Sequence, residues 1–490
     1  MKKTLAFGLT AVMALSLLAG CGKGNNTGGS IEGALNEGSS KEPVKLSMWI
    51  RTPETFDFYK SIAEQFNKEN TDGITVEVTQ YPIDQYMSAI QAAISGRSMP
   101  DMFQVHPNLS LTQMKELEVV QPIPFEPAFA DRFDEGTWVE GSTIIGDDIY
   151  VWPDSSFKST AAVMFYNKDI LEQAGLDPEK PPVTWDELIQ QSKQIKDAVD
   201  GNTFPLTTGF KGAWFVEQLI SHLATTVEGG GISMPGIEDK NFLWDKGVMV
   251  TPEPMVQAVQ FMKSMKDEDL LDPNVMISGL PDALATFGDG RAAFFMDGQW
   301  HLRSLIQDFP DLNLGVAMLP SQSGKLPYFG TFGGASNGVA IASTTKHAEE
   351  ATQWLTYLTD KFYTMILEQH IGLSPISELN ETADIHPKFK QLIDINNATI
   401  KIQPNAAVID PIEAKVMTEF LGKKTRLPVG NTVQAYLAGG ELNLEKYFND
   451  YAAEQAAFFE EALGSVKGAS KDRWIFKDWK MEEDYTADKY

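Results

Sequence analysis

From Val44 onward the chain alternates strand-like and helix-like stretches, and this alternation restricts its fold more than any other feature of the 490 residues. Val44–Ile50 reads as a strand, and residues 56–70 place Phe58, Ile62 and Phe66 at helical spacing. Residues 74–81 alternate as a second strand. Residues 86–95 carry Met87, Ile90 and Ile94 on one side, Gly96 ends that helix, and Pro100-Asp101 leads into a third strand at 102–105. Strands separated by helices at this spacing predict an α/β lobe with a largely parallel sheet. Ligands of such sheets sit beyond the carboxyl ends of the strands. Here those ends are 49–54, 81–84 and 106–108.

The pattern continues. Residues 149–153 form a strand leaving this lobe and 161–167 one entering the next. Residues 185–198 read as a helix with Thr184 as N-cap and Glu187 completing a capping box. Helices follow at 214–223 and 254–265, then helix, strand and strand at 281–287, 291–296 and 314–318. Residues 345–367 are helical, and the last hundred are mainly helical, with a Trp-rich, charged tail from Asp472. A body of roughly 450 residues exceeds what one core serves, so two lobes are expected.

The N-terminus speaks to location. Met1-Lys2-Lys3 precedes an apolar run from Leu5 to Leu18, and Leu18-Ala19-Gly20-Cys21 closes it with the one cysteine of the chain. The run is shorter than a span of about 20 residues and fits a secretory leader over 1–20, with Cys21 as the lipidated residue of a bacterial lipoprotein. Residues 21–43 then form a lipidated cysteine and a Gly-, Asn-, Ser- and Glu-rich tether, too poor in bulky apolar groups to fold. The protein is thus expected on the extracytoplasmic face of the cell membrane, held by lipid and a flexible leash. A body without further cysteine has no disulfide, so its stability comes from core burial.

Charge and motif exclude several classes. Against 40 Lys and Arg stand 67 Asp and Glu, a net charge of −27 that repels nucleic acid. The chain has no Gly-x-Ser-x-Gly elbow, His-Glu-x-x-His helix or phosphate-binding Gly-x-x-x-x-Gly-Lys-Ser/Thr loop. His106, His222, His301, His347, His370 and His386 are scattered, so neither a metal nor another cofactor is expected. Paired acids such as Asp147-Asp148 fit a glycosidase only as chance pairs among many.

Aromatics are abundant instead. Indole faces stack on the apolar face of a pyranose while amides and carboxylates take its hydroxyls. Of ten tryptophans, Trp185, Trp244 and Trp354 have the periodicity of core residues. Trp49, Trp152, Trp214 and Trp300 adjoin turns or interlobe crossings and are assigned to a cleft.

The order of segments resembles the bacterial extracellular solute-binding proteins of the maltose-binding-protein type, the receptors of carbohydrate ABC importers. The resemblance rests on Ser95-Gly96-Arg97-Ser98-Met99-Pro100-Asp101, on Tyr150-Val151-Trp152-Pro153 before Met164-Phe165-Tyr166-Asn167-Lys168-Asp169, and on Pro182-Val183-Thr184-Trp185-Asp186-Glu187-Leu188. It continues through Phe287-Gly288-Asp289-Gly290-Arg291, Asp297-Gly298-Gln299-Trp300 and Gly333-Gly334, covering Val44 to Gly464.

The resemblance implies a two-lobed periplasmic-binding-protein fold whose lobes close on a ligand as a hinge. Lobe one would hold 44–153 and 292–360, and lobe two 154–291 and 361–490. A monomer would capture a sugar or oligosaccharide and deliver it to the permease subunits of an ABC transporter, without turnover. By position in the family, the ligand contacts would be Trp49, Arg51 and Glu54; His106 and Asn108; Trp152, Asp154 and Lys158; Trp214; and Asp297, Gln299 and Trp300. Trp152, Trp214 and Trp300 would be stacking platforms, and Arg51, Glu54, Asp154 and Asp297 hydroxyl partners. Gly333 and Gly334 would let backbone approach the ligand. The stretch 404–413, where relatives often place another cleft aromatic, has no Trp or Tyr. Two alternatives stay open: a binder of polyamine or another small cation on the same fold, with Glu54, Asp154 and Asp297 as its acids, and a cell-surface glycoside hydrolase.

Overall fold

A computed structural model describes residues 43–490 apart from 106–110, 159–161, 235–236, 250–251, 336 and 487–490. The leader, Cys21 and the tether to residue 42 lie outside the described residues, as do His106, Asn108 and the side chain of Glu54. Pro43–Tyr490 makes one compact unit.

The elements that position the site begin with β1 (Val44–Ile50), α1 (Pro53–Glu69), β2 (Ile74–Gln80), α2 (Ile83–Gly96), β3 (Met102–Gln104), β4 (Val120–Gln121) and β5 (Val151–Pro153). Next come β6 (Ala162–Asn167), α3 (Trp185–Ala198), β7 (Phe204–Thr207), α4 (Ala213–Thr225), α5 (Pro252–Asp267), β8 (Ala292–Gly298) and β9 (Leu314–Met318). The chain continues through β10 (Phe329–Thr331), β11 (Gly338–Ala342), α6 (Ala348–Glu368), α7 (Pro387–Thr399), β12 (Ile400–Ile402) and α8 (Leu444–Ser465).

The first sheet runs β2-β1-β3-β11-β4, with β5 also paired to β11. Its β1 is parallel to both neighbours, with Leu46 opposite Val76 and Met48 opposite Met102. The Pro100-Asp101 turn has a local reason: Asp101 accepts from Ser47 N at 2.8 Å and Thr345 Oγ1 at 2.6 Å, tying the start of β3 to β1 and to the exit of β11. Helix α6 packs on α1, Trp354 edge-on to Phe66 at 5.3 Å.

The second sheet runs β9-β6-β8-β7. The sequence reading returned the chain to the first lobe at Ala292, but β8 pairs antiparallel with β6 and parallel with β7. The first sheet takes the chain back at β11. All seven residues of β8 are buried, and a run buried on both faces carries no alternation that would tell which sheet it joins.

Local signals held closely. Glu187 N donates to Thr184 Oγ1 at 3.1 Å and Thr184 N to Glu187 Oε2 at 3.2 Å, the capping box that starts α3. Trp185, Trp244 and Trp354 are buried. The tail from Asp472 joins a satellite core: Trp474 stacks on Trp244 at 6.2 Å and donates from Nε1 to Glu413 Oε2 at 2.7 Å. Glu413, fully buried, also accepts from Ser470 N and Arg473. Among the described residues, no helix is long and apolar enough to cross a membrane.

Candidate functional site

The parallel strands of the first sheet set out the first group of residues. At the end of β1, Arg51 N and Thr52 N donate to Gln104 Oε1 at 2.9 and 3.2 Å. Gln104 Nε2 in turn donates to Asp154 Oδ2 at 3.0 Å, just past β5. Arg51 Nε donates to Val105 O at 3.3 Å, and its Nη2 to Asn337 Oδ1 just before β11. The structure therefore gathers Arg51 and Asp154 at one polar node built from the ends of β1 and β3, the segment that follows β5 and the segment that precedes β11. Beside it Trp49 is half-buried against Tyr81, ring centroids 4.6 Å apart.

Asp154 lies in this node almost wholly buried. Burial raises its pKa to about 6, against the opposing pull of the Gln104 hydrogen bond and the Arg51 charge.

The second sheet sets out an aromatic pair. Strand β7 leads through Gly212 into α4, whose second residue is Trp214; β8 ends at Gly298 and turns into Trp300. Both tryptophans follow the carboxyl end of a parallel strand pair. Their rings lie 6.2 Å apart at 41°, and Trp214 is 54% exposed. Gly298 is required there, because a Cβ would lie 2.0 Å from the Trp300 ring. An exposed indole beside a half-buried one is an open apolar face, the surface on which a sugar ring stacks.

Other expected contacts are placed differently. Trp152 is fully buried, stacked on Tyr363 at 5.3 Å and 6°, with Nε1 donating to Thr359 Oγ1 at 2.9 Å. It is a core residue of the first sheet, not a platform, because its strand position turns the indole inward. Asp297 is also fully buried: Gly298 N donates to Oδ1 at 2.6 Å, and His301 Nδ1 lies 2.6 Å from Oδ2. Burial raises its pKa, countered by His301. It braces the turn that carries Trp300 and presents no carboxylate to a ligand. Gln299 is buried and accepts from Asn396 Nδ2 at 2.7 Å.

Gly333 and Gly334 need their φ of +75° and +74°, but protein, not ligand, approaches them. A Cβ on Gly333 would lie 2.7 Å from Gly136 O, and one on Gly334 2.2 Å from Ser142 Oγ.

Lys158 lies elsewhere. Its Nζ is 3.1 Å from Asp484 Oδ2, at the rim of a cavity of about 1430 Å³. Of the expected contacts among the described residues, only Lys158 lines it. Trp138, Phe157 and Phe332 are among its walls, yet many of its polar groups are engaged in holding those walls. Asp134 accepts from Ser377 N and Oγ, Asn380 closes on Ser374, and Asn405 caps Ala407 N. The chemistry favours the strand ends over this cavity.

Sequence reasoning missed Gln104 and Asn337, and it placed Tyr81 at a ligand-side strand end without giving it a role. The signal for Gln104 was present: it is the one polar residue in Met102-Phe103-Gln104-Val105, and a buried amide requires partners. Among the described residues, no group of three or more His, Cys, Asp or Glu is arranged to hold a metal.

Comparison with known proteins fits this geometry. The family described as bacterial extracellular solute-binding protein matches residues 51–362. A binding protein of Brucella abortus (strain 2308) is 24% identical over 378 residues, 75% of this chain and 82% of the relative. The sn-glycerol-3-phosphate-binding periplasmic protein of Yersinia pestis is 25% identical over 329 residues, covering 65% of this chain and 70% of its own. The maltose/maltodextrin-binding domain of Bdellovibrio bacteriovorus, solved bound to maltotriose, superposes with a TM-score of 0.59 at 20% identity, covering 85% of this chain and 99% of that one.

Proposed function

The chain belongs to the bacterial extracellular solute-binding proteins, and on that premise we propose that it is a lipid-anchored receptor that captures a sugar or oligosaccharide and hands it to an ABC transporter permease. The Trp214–Trp300 pair carries the reading: two indoles 6.2 Å apart, one at the start of α4 and one in the turn after β8, the first of them mostly exposed. The α/β, two-lobed periplasmic-binding-protein fold is shared with the solved receptors. The node of Arg51 and Asp154 supplies polar groups at the ends of the other sheet. The lobes are the bodies around the two sheets, with β11 and α6 completing the first, and they close on the ligand as a hinge. Closure is a population shift, since the ligand binds the closed form better. Cys21 carries the lipid, the tether lets the body work at the outer face of the membrane, and the receptor acts as a monomer that leaves its ligand chemically intact.

Thermal unfolding of the 43–490 body tests this against mono- and oligosaccharides including maltotriose, sn-glycerol 3-phosphate, polyamines and metal ions. A saccharide at about 100 times its dissociation constant stabilises by about 2.7 kcal/mol, a readable rise in melting temperature. A rise with saccharide alone supports the reading. A rise only with glycerol phosphate or with cations replaces the cargo, and saccharide cleaved during the assay overturns the receptor assignment.

A further inference from the structure

Gln104 is fully buried at the end of β3, and each of its polar groups has a partner of fixed kind. Oε1 accepts from Arg51 N and Thr52 N, while Nε2 donates to Asp154 Oδ2 and, at 3.1 Å, to Thr52 Oγ1. Tyr86 Oη donates to the Gln104 carbonyl at 2.5 Å, fixing the backbone from α2. A glutamate here would have no donor for Asp154, and a leucine would leave two backbone N–H groups and one carboxylate oxygen without their partner, Asp154 keeping the Ser155 Oγ bond to its other oxygen at 3.2 Å. The node also reaches the segment that follows β5 and the one that precedes β11, through Asp154 and through Asn337, which accepts from Arg51 Nη2 at its side chain and from Asp154 N at its carbonyl.

Resting on the receptor reading above, we infer that Gln104 is a positioning residue of the ligand site: it fixes Arg51 and Asp154 relative to one another and couples the ligand-facing ends of β1 and β3 to the hinge. It touches no ligand itself and acts through those two side chains. Affinity then depends on an amide donor facing a carboxylate acceptor, not on the volume of residue 104.

The groups facing Asp154 are Arg51 at the end of β1, Tyr59 on α1 and Tyr363 on α6. Both tyrosines are held protonated by burial, so between about pH 5 and pH 7.5 the carboxyl is the group that titrates among them.

The test uses the 43–490 body as wild type, Gln104→Glu and the swapped pair Gln104→Glu/Asp154→Asn, titrated with the panel saccharide that shifts the wild type most. Gln104→Glu is expected to bind about tenfold more weakly than wild type at about pH 7.5, because two carboxylates then face each other. The deficit should shrink at about pH 5, where one shared proton restores a donor. The swapped pair removes a ligand-site carboxylate, so it is read by melting temperature, where the asparagine amide donating to the glutamate is expected to recover the stability lost in Gln104→Glu. Wild-type affinity in Gln104→Glu, a loss of affinity unchanged by pH, or a melting temperature not recovered by the swap overturns the proposal. If no panel compound shifts the wild type, the receptor reading fails by itself, and the melting temperatures of the same three proteins decide the pairing. Loss in Gln104→Glu with recovery in the swap supports it, and no recovery refutes it.

Discussion

At the scale of single residues, two tryptophans expected to do one job do two. Trp152 and Trp214 both adjoin turns or crossings in the sequence, yet one is sealed against Tyr363 and the other stands mostly in solvent. Trp152 stands inside a strand and Trp214 at the start of a helix, yet neither position tells which ring is sealed, because the direction of each side chain is set by what its element packs against. Their substitutions should separate the roles. Trp152→Ala is expected to cost about 3–5 kcal/mol in denaturant unfolding. Trp214→Ala should leave stability within about 0.5 kcal/mol and weaken saccharide binding about tenfold or more. Asp154 offers a second residue-scale check. Its pKa in the folded chain is raised to about 6 from 3.8, so the folded state holds this proton more tightly than the unfolded chain. Its relative stability is therefore present below the ordinary carboxylate value and lost as pH rises through about 6, a penalty of roughly 3 kcal/mol by neutral pH. Asp154→Asn is thus expected to melt with wild type near pH 4 and a few degrees above it near pH 7, as read by paired thermal scans; equal melting at both would contradict the burial argument.

At the scale of elements, the legible features were those written within a few residues of each other. The Thr184–Glu187 box and the spacing of Phe58, Ile62 and Phe66 needed no distant partner, and α3 and α1 stand where they predict. The membership of β8 was not legible, because Ala292–Gly298 is buried on both faces and offers no period to read. Gln104 was legible in principle as a polar interruption of an apolar run, but its partners lie about fifty residues away in either direction. One boundary carries a cap on an unexpected residue. Gly96 ends its helix as expected, while the left-handed cap falls on the next residue, Arg97 at φ 50°, with its N–H returning to Ile94 O and Ser98 N to Ala93 O. A side chain in that conformation costs about 1 kcal/mol relative to glycine. Arg97→Gly should therefore stabilise the protein by roughly that amount in denaturant unfolding, less the entropy glycine regains in the unfolded chain.

At the scale of the whole molecule, two sheets present different chemistry at the ends where the ligand site is proposed. The first offers a charged, hydrogen-bonded node and the second a pair of indoles, the division of labour a sugar needs for its hydroxyls and its apolar face. The tail strengthens the frame: Trp474 completes a satellite core, while Asp484 accepts from Ile402 N at 2.8 Å and pairs with Lys158, which follows the strand leaving the first sheet. The central claim is that Trp214 forms the platform of an unreactive saccharide receptor. The most direct measurement is calorimetric titration of the 43–490 body and its Trp214→Ala variant with the panel saccharide, followed by mass spectrometry of the recovered sugar. The account predicts one binding event, a loss of about tenfold or more in the variant, and sugar recovered intact. Equal affinity in the two proteins, or a shortened sugar, would contradict it.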